Sequence, residues 1–215
     1  ALPRAYFNVN ELITSLMLNY VALLLLDYLV FGPWRDPNGF NFPGTPVFAP
    51  EQQLMTFQGT RLHYGLLYAL AAAAILWFAL SKTRWGYEMK LLGSNPLAAR
   101  QGGIGFKRHV TLVMIVSGGL AGLAGMSEVS GVAHRLMYGL SPGYGYTAII
   151  VAWLAKLNPW AMIPTSVFVG GLIGGYSVQS LGLPSSLSSM LQGAILICLI
   201  AGDTVGKLRI RRKGE

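Results

Sequence analysis

Charge is what this chain has least of. Only 11% of its 215 residues are charged, 53% are hydrophobic, and the mean hydropathy is +0.50. Soluble domains carry about 25% charged residues. The shortage excludes an ordinary water-soluble domain, and apolar runs of about 20 residues point the same way. Acids are scarcer than bases, 8 against 16. The lone cysteine, Cys198, excludes a disulfide framework and sits in an apolar run, where it packs against lipid or core. The three histidines, His63, His109 and His134, stand far apart with no ligand spacing, so no metal site is expected. No nucleophile stands beside a base, so no catalytic residue is assigned. Gly202-Asp-Thr-Val-Gly-Lys207-Leu208 has the wrong spacing for a phosphate loop and no Ser or Thr after the lysine. The chain thus reads as lacking an engine for ATP hydrolysis. No cleavable leader follows Ala1-Leu-Pro-Arg4 and no initiator Met precedes the first apolar run. It therefore reads as the C-terminal part of a longer membrane protein.

What is present is an all-α, polytopic pattern in a single transmembrane domain covering residues 1–215. Asn8 and Glu11 have capping-box spacing. A first span follows over about 12–31 and stops at Gly32-Pro33. The next thirty or so residues are rich in Pro, Gly and Asn, an ordered external loop with a short helix near Glu51 to Met55. Further spans are expected over about 63–80 and 110–127. Residues 128–146 are glycine-rich and polar. The apolar run 147–157 is too short to cross, since crossing needs about 20 residues. Lys156-Leu-Asn-Pro159 breaks it, and a longer run, 161–178, follows. A Ser/Pro/Gly connection leads to a last span over about 190–205.

The positive charge is placed unevenly. The loop 81–109 and the tail after residue 206 hold 11 of the 16 Lys and Arg. The positive-inside rule puts that loop and the C-terminus in the cytoplasm. Five basic residues after a span are a topological anchor rather than a nucleic-acid contact, so no nucleic-acid partner is expected. With loop and tail on one side, the segment 147–178 must start and finish outside. That requires a broken or re-entrant helix, tolerated where it lines a cavity or is buried in protein.

Within the basic loop lies a short helix with its own stop signs. Asn95 caps its first turn, Pro96 fits the first helical position, and Leu97, Ala98, Ala99, Arg100 and Gln101 are good helix formers. Gly93 precedes it, and Gly102 or Gly103 ends it in a left-handed conformation. So short a helix is unstable alone. Presented by a membrane protein to the aqueous side, it reads as a docking device.

Polar residues in the spans are candidate path residues. Asn19 lies mid-span, suited to a helix–helix hydrogen bond or to a translocation path. Glu128 ends the third span, as a helix-end charge or a path residue. Tyr144 and Tyr146 stand on an outward turn, in an interfacial belt or stacked on a sugar or base. Asp27 reads as a solvated interfacial charge and Asp203 as an interfacial partner of Lys207. Glycines and alanines at four-residue spacing, Gly118/Gly122 and Ala121/Gly125, then Gly170/Gly174 and Gly171/Gly175, read as packing within one chain, with a subunit interface as the functional alternative.

Asn10-Glu-Leu-Ile-Thr-Ser-Leu-Met-Leu-Asn-Tyr-Val-Ala22 resembles the signature span of ABC-transporter permeases for nucleosides and simple sugars, within the branched-chain amino acid and ribose type superfamily. Thr60 to Gly65 and Thr83 to Gly86 match the flanks of the next span. The stretch Gly93 to Ile104 is similar to the family's coupling loop, and Gly143 to Tyr146 with Val151 to Leu154 and Asn158-Pro159 to its outer gate and broken helix. Leu154-Ala155-Lys156 departs from the usual pattern, and the family's additional N-terminal spans are missing.

The resemblance implies a bacterial inner-membrane importer subunit. Its partners would be ATP-binding cassette subunits, a second permease subunit, an extracytoplasmic substrate-binding protein and membrane lipid. This chain would need no cofactor, with ATP and Mg in the partners. Gly93, Asn95, Pro96, Leu97, Ala98, Ala99, Arg100 and Gly103 would form the coupling contact. An ion-gradient-driven secondary transporter or channel is the alternative and would require a paired ionisable group deep in the spans. A non-transporting scaffold would leave the broken helix without a use.

Overall fold

The computed structural model describes residues 2–7, 9–39, 42–57, 62–140 and 143–173, with positions 190, 193–195, 197–198 and 201–202. Among the described residues every long apolar run is helix, and β-structure is confined to two isolated bridges, Gly44 with Met137 and Thr56 with His63. The chain forms two compact units, Ala1–Leu140 and Ser141–Glu215.

The first unit begins with a short helix α1 (Leu2–Phe7), then α2 (Glu11–Phe31). The cap of α2 is Asn10, whose Oδ1 accepts from Leu12 N at 2.9 Å. This corrects the capping-box expectation. Asn8 lies outside the described residues, and Glu11 instead pairs with Arg4 of α1 at 3.1 Å. At the far end Gly32 closes the helix by donating to Tyr28 O at 3.0 Å. A Cβ there would lie 2.7 Å from that same oxygen, which is why the stop is a glycine.

Two more long helices follow, α3 (Gly65–Lys82) and α6 (Phe106–Glu128), with α4 (Arg84–Ser94) and α5 (Pro96–Gln101) between them. α2, α3 and α6 are long and apolar enough to cross a membrane. Within their most apolar windows only 6%, 6% and 0% of residues are buried. Their backbones are satisfied inside each helix, the condition for standing in lipid. Side-chain burial against other parts of the chain contributes little.

Arg4 and Glu11 share a groove with Met89, Gly93, Phe106 and His109, so the start of α2, the basic loop and the start of α6 meet at one end. The opposite end gathers the end of α2, the start of α3 and the end of α6. There Trp34 N donates to Leu29 O, Phe48 N to His134 O and Leu54 N to Ser130 O, at 2.8–3.0 Å. Thr45 and Leu136 exchange bonds, Thr45 N to Leu136 O and Leu136 N to Thr45 Oγ1, at 2.9 and 3.0 Å. Phe31 meets Tyr138 edge-on, and the Arg135 guanidinium lies over Phe42. The Pro/Gly-rich loop is thus pinned, as expected, and its short helix is a 3₁₀ turn at Pro50–Gln52.

In the second unit α7 (Tyr144–Leu154) and α8 (Pro159–Ile173) form the expected broken pair. Lys156 and Leu157 both take positive φ, 50° and 58°, and Asn158 Oδ1 accepts from Trp160 N at 3.1 Å to restart the helix. Pro164 interrupts α8, and the Thr165 and Ser166 hydroxyls donate to carbonyls of the preceding turn, to Ala161 and Ile163 O among others, at 2.7 and 2.8 Å. The expected stretch 174–178, the tail with Asp203 and Lys207, and most of the last span lie outside the described residues.

Among the described residues, a Cβ built at Gly118, Gly122, Gly125 or Gly170 would touch nothing within 4 Å. Gly174 and Gly175 lie outside the described residues.

Candidate functional site

The short helix α5 forms where its residues place it. Asn95 Oδ1 accepts from Ala98 N at 3.1 Å, Pro96 takes the first turn, and Gly102 N returns to Ala98 O at 3.0 Å. The left-handed residue is Gly103, at φ 74°, rather than Gly102. Ala99 has no exposed surface, whereas Leu97 is 73% exposed and Asn95 and Arg100 are also open. Ala99 is therefore an anchor, and the face free to meet something else carries Leu97 and Arg100.

What α5 rests on was not read from the sequence. The helix α4 has an apolar side with Trp85, Met89 and Leu92 and a basic side with Arg84 and Lys90. Thr83 Oγ1 caps it, accepting from Gly86 N at 3.3 Å and donating to Ala79 O. Gly86 is so close to the Ala79 and Leu80 carbonyls that a side chain has no room, and this lets α4 fold back on α3. Glu88 then reaches α6: its carboxylate meets His109 Nε2 at 2.9 Å. His109 is nearly buried, and its Nδ1 faces Gly105 O at 3.1 Å. Both ring nitrogens thus face oxygen atoms, one on Glu88 and one on the backbone of Gly105. The chain of contact runs from α5 through α4 to the first turn of α6.

At the other end of α6 the helix widens into a π-turn, Val129–Ala133, closed by His134 in a left-handed conformation at φ 53°. Single π-turns are rare and often accompany functional sites. Below it, Glu128 is half-buried and lines a groove of about 510 Å³ with His63, Tyr68, Ser127 and apolar residues of α3 and α6. Among the described residues Glu128 has no ion-pair partner. His63 precedes α3, and its ring is sandwiched by two glycines. A Cβ would lie 2.5 Å from it at Gly65 and 2.8 Å at Gly131. Gly65 N donates to His63 Nδ1 at 3.1 Å.

The other sequence-derived candidates are not gathered there. Asn19 is exposed on α2, and its side chain has no hydrogen-bond partner among the described residues. Tyr144 and Tyr146 belong to the second unit, at the start of α7 after Gly143 at φ 89°, and are 45% and 60% exposed. No group of three or more His, Cys, Asp or Glu among the described residues could hold a metal ion. His63 has no ligand spacing to mark it as a site residue. The signal was the glycine two residues later and the glycine-rich turn after Glu128.

A family model described as branched-chain amino acid transport system / permease component matches residues 1–200. The glucose ABC transporter permease protein of Haloferax volcanii is 34% identical over 220 residues, covering 96% of this chain and 58% of that protein. The guanosine ABC transporter permease protein of Bacillus subtilis is 30% identical over 217 residues, covering 96% of this chain and 62% of that protein. The probable riboflavin import permease protein of Treponema pallidum is 31% identical over 206 residues, covering 92% and 53%. The chain spans a little over half the length of these relatives. No solved structure matches it.

Proposed function

Because the chain belongs to the branched-chain amino acid transport system permease family, we propose that it is the transmembrane permease subunit of an ATP-driven importer for a nucleoside or simple sugar. It sits in the cytoplasmic membrane with α5 and the C-terminus inside. The observation that carries this reading is the capped helix α5, anchored through Ala99 with Leu97 and Arg100 exposed, at the end where the basic loop lies. ATP-binding cassette subunits seat there, hydrolyse ATP with Mg, and drive alternating access by moving α5, α4 and α6 together. A second permease subunit and lipid cover the spans, and an extracytoplasmic binding protein delivers cargo to the pinned outer loops. The relatives named for glucose and guanosine support a cargo of that class.

An ion-gradient-driven transporter or channel would want a paired ionisable group deep in the spans. Among the described residues the ion pairs Arg4 with Glu11 and Glu88 with His109 both stand at span ends. Expression of the full-length protein with an affinity tag tests the proposal. An ATP-binding cassette subunit should co-purify, and uptake should stop when that subunit's ATPase is inactivated. Uptake that persists without ATP but collapses with the proton or sodium gradient would transfer the chain to the alternative class.

A further inference from the structure

The groove beneath the π-turn contains polar groups that pair with no other described residue. Resting on the importer reading, we infer that it is a binding subsite for a neutral, hydroxyl-bearing solute, a sugar or the ribose of a nucleoside. In it Glu128 accepts from solute hydroxyls and His63 Nε2–H donates to a solute oxygen.

The protonation of His63 follows from its backbone contact. Gly65 N–H donates to Nδ1, so Nδ1 carries no hydrogen and the ring proton sits on Nε2. The ring is a donor at one nitrogen only, and that donor has no partner among the described residues. Its position is fixed by the two glycines whose missing side chains make room for it. The groove therefore holds a locked donor, a carboxylate acceptor, the Ser127 hydroxyl and the half-exposed ring of Tyr68 over an apolar floor. A few placed polar groups on an apolar lining, in a cavity of about 300–1,000 Å³, are what a small-molecule site requires. A carboxylate facing lipid here would be costly. A cation would meet the carboxylate but also the Nε2–H donor, whereas a polyol satisfies both.

Amide isosteres separate the two nitrogens of His63. The Asn side chain reproduces Nδ1 and the Gln amide nitrogen reproduces Nε2–H. The full-length protein, assembled with its ATP-binding and binding-protein partners, is assayed for uptake of glucose, ribose and guanosine at equal membrane levels. H63N and E128Q should each reduce uptake of the transported solute at least tenfold. H63Q should restore it to within about threefold of the parent, a tenfold change corresponding to one well-made hydrogen bond. The E128Q loss should shrink when the cargo is its deoxy analogue, because the hydroxyl that used the carboxylate is gone. Equal losses in H63N and H63Q, or a loss with E128Q that is the same for the deoxy analogue, would make both residues structural and overturn the subsite alone. A parent complex that imports none of the three solutes would overturn the transport reading, and the subsite with it.

Discussion

At the scale of single residues, glycines separate into two kinds that composition alone does not distinguish. Gly131 is filled by the His63 ring, and a Cβ there would sit 2.8 Å from it. Gly122 on α6 faces nothing within 4 Å among the described residues. Gly131→Ala should therefore destabilise the protein by about 1–3 kcal/mol through overpacking, and Gly122→Ala should be neutral or stabilising by up to about 1 kcal/mol through helix propensity. Thermal unfolding of the detergent-purified protein measures both. Equal stabilities would mean the His63 ring is not held as the structure has it. The abundance of glycine is a membrane trait and is legible in composition. Which glycine is indispensable depends on a histidine 68 positions away, a contact that no local pattern encodes.

The helices show the same division between local and distant causes. α5 was legible to the residue, because Asn95, Pro96 and Gly103 act within one turn of where they stand. The break after α7 was legible for the same reason. α4 was not, because Arg84, Glu88 and Lys90 interrupt its apolar residues and leave a stretch as polar as an ordinary loop. It is helical because Thr83 caps it and Glu88 ties it to α6. Replacing His109 tests that tie. H109N keeps the nitrogen facing Gly105 and loses the one facing Glu88, and should cost about 1.5–3 kcal/mol, as for a partly buried charged hydrogen bond. H109Q keeps the nitrogen facing Glu88 and should recover much of that. Urea or thermal denaturation separates the two, and indistinguishable variants would remove Glu88 from the account.

The position of Ala99 also changes what a substitution in α5 reports. With no exposed surface, Ala99→Glu would lift the helix off its support and lower stability. Leu97→Glu changes only the outward face. Full-length protein bearing Leu97→Glu should reach the membrane at normal levels, keep its unfolding temperature within about 2 °C, and lose most of its uptake. Normal uptake in that variant would show that the exposed face of α5 is not the seat of the driving subunit.

Seen whole, the first unit is three apolar helices joined alternately at opposite ends, with hardly any core among them. The hydropathy pattern foretold those helices to within about four residues at each end, because lipid imposes the same requirement on every residue of a span. What it could not foretell is the small polar architecture at the two ends, the His63 sandwich and the Glu88–His109 tie, because each joins residues far apart in sequence. The charge asymmetry gives the orientation a direct test. Cys198, the one cysteine of these 215 residues, is replaced by Ser, as is every cysteine elsewhere in the full-length protein. Single cysteines are then placed at Ser94, beside α5, and at Gln53, in the pinned loop at the other end. A membrane-impermeant maleimide applied to intact cells should label the Gln53→Cys protein and leave Ser94→Cys untouched. The order should reverse in inverted vesicles. The basic loop carries six Lys and Arg against one acid, the excess that the positive-inside rule expects on the cytoplasmic side. Labelling of Ser94→Cys from outside would place α5 beyond the reach of any ATP-binding subunit, and with it the drive for transport would have to come from elsewhere.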